Sequence, residues 1–371
     1  MSEVNSNALE GEGLRQPVRL HLTNIVGLGA VRLLQSLLPA LLYQNNYKLE
    51  EVYIPDNGEL SNYSLFEHTT VLTRYKRLLP NSISRLLECT LFGNQFDGSS
   101  PLFVLGDIPI RCKSKQTVFI QNSLLTREAY TGINYGGIKY LISMWLFRLN
   151  MRYVTNFIVQ TDAMKSSLID TYPQIMERIH VIAQPAPSWL IKSQLKRTEF
   201  LDSTEVGLRL FYPAAYYHHK NHRILSEVKH YDGWAISELI LTISEKLNPN
   251  ASIPWIRCVD LLSPDAVIDT YSKVDGLLFL SLSESFGFPL VEAMCIGLPI
   301  ICPDLPYSRT LCGENAIYFN PHNVTSLQTA IEELNQRRRS GWWPDWSSSL
   351  AKLPRDWQEV ADRMLQIVTA E

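Results

Sequence analysis

Short apolar runs of strand length alternate along the chain with longer segments in which apolar positions recur every three or four residues. In the first half, the short runs predict strands at residues 18–22, 51–54, 102–105, 117–121, 157–160 and 180–182, and the longer segments predict helices at residues 28–44, 138–150 and 162–172. In the second half, the same patterns predict strands at residues 208–212, 235–243, 256–259, 276–282 and 299–302, and helices at residues 221–230, 264–273, 289–295 and 324–338. This alternation is typical of α/β proteins whose parallel sheets carry helices on both faces.

The pattern restarts in the middle of the chain, which predicts two doubly wound domains. A chain of 371 residues also exceeds the size at which one hydrophobic core keeps growing. We place the first domain at residues 17–185 and the second at residues 203–345, with the proline-containing residues 184–202 as the linker. Residues 1–16 are polar, and we expect a disordered leader there.

The last segment, residues 346–371, is predicted to end in an amphipathic helix from about residue 355 to residue 368. Its apolar side chains share one face at the helical period: Trp357, Val360, Ala361, Met364 and Leu365. Two interpretations stay open. The helix either belongs to the core of the second domain or packs back across the cleft onto the first.

Composition and charge restrict the class of protein. The chain is 46% apolar and 19% charged with a net charge of −3, which argues against a nucleic-acid binder that relies on basic surface charge. Its six cysteines form no C-x-x-C pair, so we expect reduced thiols rather than disulfides or a zinc site. The N-terminus lacks the layout of a signal peptide, and no apolar run approaches the roughly 20 residues of a membrane span. We therefore expect a cytoplasmic protein.

The most informative segment is residues 281–294, which read SLSESFGFPLVEAM. An apolar strand runs into a loop that contains Glu284 and Gly287, and Pro289 then opens a helix. The amides at a helix start bind anions, and a pyrophosphate suits such a site. Glu284 and Glu292 would repel that anion unless they accept hydrogen bonds from hydroxyl groups on either side of it. The pattern thus predicts a ligand with a pyrophosphate between two polyols, which is a nucleotide sugar.

This segment resembles the E-x7-E signature of the retaining glycosyltransferases of family 4, which have the GT-B fold. The resemblance continues through residues 297–301 and 312–321, and upstream through residues 274–279. It implies two Rossmann-like doubly wound domains that face each other across a cleft, with the nucleotide-sugar donor bound mainly by the second. In the family, the first glutamate contacts the donor sugar and the second binds the ribose, roles that the resemblance gives to Glu284 and Glu292.

The resemblance also assigns the donor phosphates to the backbone at the helix start. The residues concerned are Ser285, Phe286, Gly287, Phe288, Pro289 and Leu290.

The departing diphosphate gains negative charge during transfer, so a fixed cation beside it lowers the barrier. The sequence has no D-x-D motif, so we expect neither a metal nor another cofactor and look for a lysine or arginine. His219, Lys220 and Asn221 resemble the family's Lys-Gly or Lys-Asn element, which implies that Lys220 neutralises the diphosphate. Relatives often have an arginine a few residues earlier. Residues 216–218 are Tyr, Tyr and His here, so that role is either unfilled or taken by His219.

Three weaker candidates complete the predicted site. Gly27 and Gly29 follow the first strand, and the resemblance puts this loop near the donor phosphates and the acceptor. It is not a dinucleotide fingerprint, because Arg32 stands where the third glycine should be. Asn122 is either a donor of a hydrogen bond to the sugar or a turn-forming residue. Val259 begins the segment that matches the family's base-binding loop.

The resemblance implies transfer of a hexose from a UDP- or GDP-linked donor, with retention of configuration, to a saccharide. A lipid-linked acceptor and surface-polysaccharide synthesis are typical of the family. Two basic and apolar groups suggest contact with the inner face of the membrane: the first at residues 74–85 (Arg74, Lys76, Arg77 and Arg85) and the second at residues 139–152. More often, such groups belong to helices with one buried face and basic residues at its border.

Other functions fit the same fold. A sugar-nucleotide epimerase or hydrolase would need no acceptor, and a non-catalytic partner subunit would only bind the donor. An oxidoreductase fits least, because the glycine fingerprint fails.

Overall fold

The computed structural model describes residues 15–25, 28–58, 60–61, 71–77, 79, 81–126, 137–200, 207–229 and 234–370. Of the predicted leader, all but residues 15 and 16 lie outside the described residues. Gln16, which was placed in the leader, belongs to the first strand.

Two all-parallel sheets form the centre of the two halves. The first has seven strands in the order β3-β2-β1-β4-β5-β6-β7. These strands are β1 (Gln16–His21), β2 (Tyr47–Pro55), β3 (Val71–Tyr75), β4 (Leu102–Val104), β5 (Gln116–Phe119), β6 (Val154–Val159) and β7 (Ile179–Val181). The second sheet has six strands in the order β10-β9-β8-β11-β12-β13. They are β8 (Leu208–Tyr212), β9 (Ile236–Leu241), β10 (Ile256–Cys258), β11 (Gly276–Leu278), β12 (Ile300–Pro303) and β13 (Ile317–Phe319).

The chain order reverses once in each sheet. The first sheet is built outwards from β1 on one side and from β4 on the other, and the second from β8 and β11 in the same way. At such a switch point the two adjoining loops diverge, which leaves a crevice at the carboxyl ends of the strands. The crevices at β1/β4 and at β8/β11 are therefore where a ligand is expected.

Eleven α-helices occur in the described residues. They are α1 (Leu28–Leu42), α2 (Asn81–Cys89), α3 (Gly137–Asn150), α4 (Asp162–Thr171), α5 (Ser188–Ser193), α6 (Pro264–Ser272), α7 (Phe288–Ile296), α8 (Pro306–Cys312), α9 (Val324–Arg339), α10 (Ser347–Leu350) and α11 (Trp357–Thr369). None of them is long and apolar enough to cross a membrane.

The sequence patterns missed six elements: β3, β13, α2, α5, α8 and α10. Strand β3 is an edge strand without a fully buried residue, and β13 has only three residues, so neither has a long apolar run. Helix α5 lies inside the predicted linker. The helix predicted at residues 221–230 is a 3-10 helix over His222–Glu227.

The last helix, α11, packs on the first domain. Its apolar face, from Trp357 to Val368, lies in the same buried cluster as the core side of α1 and β1. Trp357 Nε1 donates a hydrogen bond to the carbonyl oxygen of Ala186 (2.9 Å), and the indole stacks on Phe288 of α7 with 6.4 Å between ring centroids. The chain thus crosses back from the second domain, as the second interpretation of this helix has it.

We expect that Trp357→Ala destabilises the protein strongly, because it removes a buried indole, its hydrogen bond and its stacking partner. The free energy of unfolding should fall by about 3–5 kcal/mol, measured by urea denaturation with far-UV circular dichroism. Arg363→Ala on the exposed face of the same helix is the control and should change it by no more than about 0.5 kcal/mol. Equal effects of both substitutions would contradict the packing of this helix.

Candidate functional site

Lys220 and Glu284 meet at the carboxyl edge of the second sheet. The loop after β8 lies against the loop after β11, because the Leu282 amide donates a hydrogen bond to the His219 carbonyl oxygen (2.7 Å). Below it, the hydroxyl of buried Tyr212 donates to the Lys220 carbonyl oxygen (2.7 Å). Lys220 Nζ forms an ion pair and hydrogen bond with Glu284 Oε1, and the two side chains are only 17% and 13% exposed. Two residues 64 positions apart in sequence thus form one charged pair.

His219 and Asn221, on either side of this lysine, have different surroundings. The imidazole of His219 stacks on Tyr217 with 5.6 Å between ring centroids. Burial, and next the charge of Lys220, lower the pKa of His219 to about 4. A neutral imidazole adds no positive charge of its own beside Lys220. Asn221 ends the turn in the left-handed conformation (φ 54°), and its Nδ2 donates to the Pro321 carbonyl oxygen (3.1 Å).

The start of α7 is shaped by Gly287. Its backbone is left-handed (φ 96°, ψ 56°), a conformation that glycine adopts without strain. A Cβ atom there would lie 3.3 Å from Leu290 Cδ1. Phe286 and Leu290 are fully buried, so their side chains are unable to reach a ligand, and the predicted phosphate contact would come from the backbone. A helix start at this edge is suited to an anion.

Glu292 is buried beneath this helix start. Glu292 is only 7% exposed, and the Tyr271 hydroxyl donates a hydrogen bond to its Oε2 (2.9 Å). Burial raises the pKa of Glu292 to about 7, opposed by the Tyr271 hydrogen bond and by the charge of Arg32. An ordinary surface carboxylate on a helix would be exposed, whereas Glu292 is buried.

The segment predicted to bind the base follows β10. Val259 is half-buried, and its amide donates to the Leu241 carbonyl oxygen (3.0 Å). Asp260 then adopts a left-handed conformation (φ 56°) that turns the chain. Two residues later, the carbonyl oxygen of Leu262 accepts a hydrogen bond from Arg32 Nη2 of the first domain (2.9 Å).

The glycines of the first domain are only partly described. Gly27 lies outside the described residues, and Gly29 is in the first turn of α1. Apart from its own helix backbone and chain neighbours, no atom of the described residues lies within 4 Å of the position that a Cβ on Gly29 would take.

A buried charge cluster at the carboxyl end of β1 was not found from the sequence. Glu88 is fully buried and accepts hydrogen bonds from His21 Nε2 (2.9 Å), from Arg77 Nη2 (3.0 Å) and from the Thr23 hydroxyl. Burial would raise the pKa of Glu88, but the His21, Thr23 and Arg77 contacts outweigh it and the pKa is lowered. These residues come from three separate segments, and no spacing in the sequence joins them.

The first basic group predicted at the surface divides into two parts. Arg74 and Lys76 are exposed. Arg77 also donates to Asn24 Oδ1 (2.7 Å), and Arg85 Nη2 donates to the Gly106 carbonyl oxygen (3.0 Å). Arg77 and Arg85 therefore lie at the carboxyl edge of the first sheet, and only Arg74 and Lys76 belong to an outer surface.

Asn122 follows β5 and is occupied by the local fold. Its Oδ1 accepts a hydrogen bond from the Leu124 amide (3.0 Å), which caps a short 3-10 helix. This is the turn-forming interpretation, and it leaves the side-chain amide group for any contact with a sugar. The next residue reaches the second domain, since the Ser283 hydroxyl donates to the Ser123 hydroxyl (2.9 Å).

All six cysteines are free thiols. In the described part of the chain, no group of three His, Cys, Asp or Glu side chains could hold a metal ion. In this part of the chain, the positively charged group that pairs with Glu284 is the ammonium group of Lys220.

The chain is similar to known proteins both in sequence and in fold. The family model "Glycosyl transferases group 1" matches residues 243–340, which include α6, α7 and both glutamates. The O-antigen chain mannosyltransferase RfbU of Salmonella typhimurium is 24% identical over 249 residues, 63% of this chain and 67% of that protein. The serotype-specific mannosyltransferase WbdA of Escherichia coli is 29% identical over 101 residues, 27% of this chain and 12% of that protein.

A solved structure agrees with the architecture. WaaG, a glycosyltransferase involved in lipopolysaccharide biosynthesis, superimposes with a TM-score of 0.60 at 13% identity, over 95% of this chain and 100% of that chain. At this identity the likeness concerns the fold alone, and it confirms the GT-B architecture of two parallel sheets that face each other across a cleft.

The buried carboxyl group of Glu292 should make stability depend on pH. The pKa of Glu292 is raised in the folded state. Below about pH 4.5 the group is protonated in both the folded and the unfolded protein and does not lower the free energy of unfolding. As the pH rises through about 7, the buried group ionises and lowers that free energy. The free energy of unfolding of Glu292→Gln, relative to that of the wild type, should therefore increase by on the order of 3 kcal/mol from pH 5 to pH 8. The measurement is urea denaturation at both pH values. Glu314→Gln, at an exposed position, is the control and should show no such difference.

Proposed function

The chain is a glycosyltransferase with the GT-B fold, and on this premise we propose that it transfers a hexose from a nucleotide-diphosphate sugar to a saccharide acceptor. The two sequence relatives described above are mannosyltransferases, one of them of the O-antigen chain, which supports mannose as the sugar and a bacterial surface polysaccharide as the product. The nucleoside of the donor is uridine or guanosine. The observation that carries the proposal is the Lys220–Glu284 pair, with the start of α7 between it and buried Glu292.

Each part of the donor has a matching group in this arrangement. The diphosphate is anionic and suits the helix start at Gly287 and the ammonium group of Lys220. Glu284 accepts hydrogen bonds from hydroxyls of the sugar, and Glu292 from hydroxyls of the ribose. The base lies against the segment that begins at Val259.

Transfer breaks the bond between the anomeric carbon and the phosphate oxygen and forms a bond from the same carbon to the acceptor oxygen. The leaving oxygen gains negative charge, and Lys220 stabilises it electrostatically. The Glu284 carboxylate beside Lys220 holds the ammonium group in place and keeps the pair neutral until the diphosphate arrives. We propose attack from the face that the diphosphate leaves, with the acceptor proton passing to the leaving phosphate oxygen, so that the anomeric configuration is retained. No metal ion or other cofactor takes part in this scheme.

The acceptor binds at the edge of the first domain and is lipid-linked in our proposal. Helices α2 and α3 pack together and carry large exposed apolar side chains: Ile83 on α2, and Leu141, Ile142, Trp145 and Leu149 on α3. Trp145 is the most exposed of these five residues, at 56%. Arg148 and Arg152 lie beside these residues, and residues 137–153 contain no acidic residue. An apolar surface with only positive charge suits anionic lipid. The protein then works at the cytoplasmic face of the cell membrane and has no nucleic-acid partner.

We expect transfer of labelled mannose from GDP-mannose, or of a hexose from a UDP-sugar, to a lipid-linked saccharide, and much slower release to water. Lys220→Ala should lower kcat by about 100- to 1,000-fold, because it removes the charge that stabilises the leaving group. Lys273→Ala is the matched control, since that lysine is exposed and pairs with Asp269 away from the site (2.6 Å).

Several results would contradict this assignment. Release of labelled sugar to water at the rate of transfer would indicate a hydrolase, and binding without any turnover would indicate a non-catalytic partner. NMR of the product reports its anomeric configuration, and inversion would exclude attack from the leaving-group face.

We also expect the protein to sediment with vesicles that contain phosphatidylglycerol and not with vesicles of phosphatidylcholine alone. Binding should weaken as salt increases, because it depends in part on Arg148 and Arg152. Trp145→Ser and Arg148→Glu should each reduce the bound fraction. Leu247→Ser, at an exposed apolar position of the second domain, should leave it unchanged. Equal binding to both vesicle types, or by all variants, would show that this surface is not the contact.

A further inference from the structure

Arg32 connects the first domain with the predicted donor site in the second. It lies in the second turn of α1, at the position where a dinucleotide fingerprint would have its third glycine. Its side chain is half-buried, and Nη2 donates a hydrogen bond to the carbonyl oxygen of Leu262 (2.9 Å), 230 residues away in sequence. Leu262 belongs to the loop that begins at Val259. One guanidinium group of the first domain therefore holds the main chain of the predicted base-binding loop.

The same guanidinium acts on Glu292. Three groups interact with this carboxyl group from the elements around it: the Tyr271 hydroxyl from α6, the Cys295 thiol from α7 itself, and Arg32 from α1. Arg32 is the cation among them. Burial disfavours the carboxylate, and Arg32 opposes that effect through its charge. A carboxylate accepts hydrogen bonds through both oxygens, whereas a protonated acid presents one O–H donor, so its charge state decides how well it binds a diol.

We propose that Arg32 is a positioning residue of the donor site, which holds the main chain of the loop at residues 259–262 through its hydrogen bond to Leu262 and supplies a positive charge that favours the carboxylate form of Glu292. The inference rests on the proposed function, because it takes the ligand to be a nucleotide. It assigns to the first domain a direct part in binding the nucleoside of the donor. The ribose subsite is then complete only when the two domains stand as they do in this structure.

The sign of the pH effect follows from the charges. Without Arg32, the pKa of Glu292 rises further, because burial then acts against one fewer favourable charge. Nucleotide affinity falls as the pH decreases through the pKa of this carboxyl group. Removal of Arg32 should therefore move that fall to higher pH, which the loss of a merely structural hydrogen bond would not do.

Ser36 offers a matched control on the same helix. It lies one turn after Arg32, and its hydroxyl bonds with the Ser188 hydroxyl (3.0 Å) and accepts from the Ser188 amide (3.0 Å). This contact also joins α1 to a distant part of the chain but does not involve the donor site. Ser36→Ala thus removes a contact of α1 without changing the charge near Glu292.

The experiment measures binding of GDP and UDP by calorimetry between pH 6 and pH 9. Arg32→Gln should weaken binding of the preferred nucleotide about tenfold at pH 7 and shift the midpoint of its pH dependence upwards. Arg32→Lys, which keeps the charge, should recover much of the midpoint but less of the affinity, because the hydrogen bond to Leu262 is altered. Ser36→Ala should match the wild type. Unchanged melting temperatures would show that all variants are folded.

A second measurement tests the coupling without a nucleotide. In protein labelled with carbon-13 at the glutamate carboxyl groups, the resonance lost in Glu292→Gln identifies Glu292, and its titration should move to higher pH in Arg32→Gln. In the Glu292→Gln background, the further effect of Arg32→Gln on affinity should shrink to less than about threefold, because the two residues act together.

The outcomes separate the two claims. If the wild type binds a nucleotide and Arg32→Gln binds it with the same affinity and the same midpoint, the inference about Arg32 is wrong and the proposed function stands. If the wild type binds neither GDP nor UDP, the proposed function fails and the role of Arg32 fails with it.

Discussion

The stacking of Phe288 on Trp357 is the contact on which the arrangement of the two domains depends. Phe288 is the first residue of α7, whose start forms the centre of the predicted donor site. Trp357 is the first residue of α11, which is buried against α1 and β1 of the first domain. One aromatic pair therefore links the position of the donor helix to the core of the opposite domain. The hydrogen bond from Trp357 to the Ala186 carbonyl ties the connecting segment to the same point.

Around this contact, smaller polar interactions cross the cleft. Ser283 bonds to Ser123, Thr161 bonds to the carbonyl oxygen of Ser285 (3.1 Å), and Arg32 bonds to that of Leu262. All three reach loops that the proposed function assigns to the donor. Single hydrogen bonds of this kind contribute only about 1 kcal/mol each, so they orient loops rather than hold the domains together. The aromatic and aliphatic burial of α11 supplies the larger stabilisation, and the polar contacts set the local geometry.

Three buried or part-buried carboxyl groups near the cleft differ in the groups that compensate their charge. Glu88 is surrounded by His21, Thr23 and Arg77, and its charge is satisfied within the first domain. Glu284 is paired with Lys220 and keeps contact with solvent. Glu292 accepts a hydrogen bond from one hydroxyl, and burial raises its pKa although the charge of Arg32 opposes that effect. These differences fit a structural role for Glu88 and ligand-binding roles for the other two, because a ligand can supply what a carboxylate lacks.

The sequence by itself determined the alternation of strands and helices, the GT-B resemblance and the loop with both glutamates, because apolar period, glycine and proline are local signals. Strand β8 was predicted with its observed bounds, since four of its five residues are apolar or aromatic. Only the tertiary structure decided that α11 packs on the first domain, that Lys220 pairs with Glu284, and that Glu292 is buried. It also brought Glu88 to His21 and Arg32 to Leu262. Each of these depends on which residues from distant segments meet at the carboxyl edges of two sheets, and periodicity within one segment carries no information about its partner.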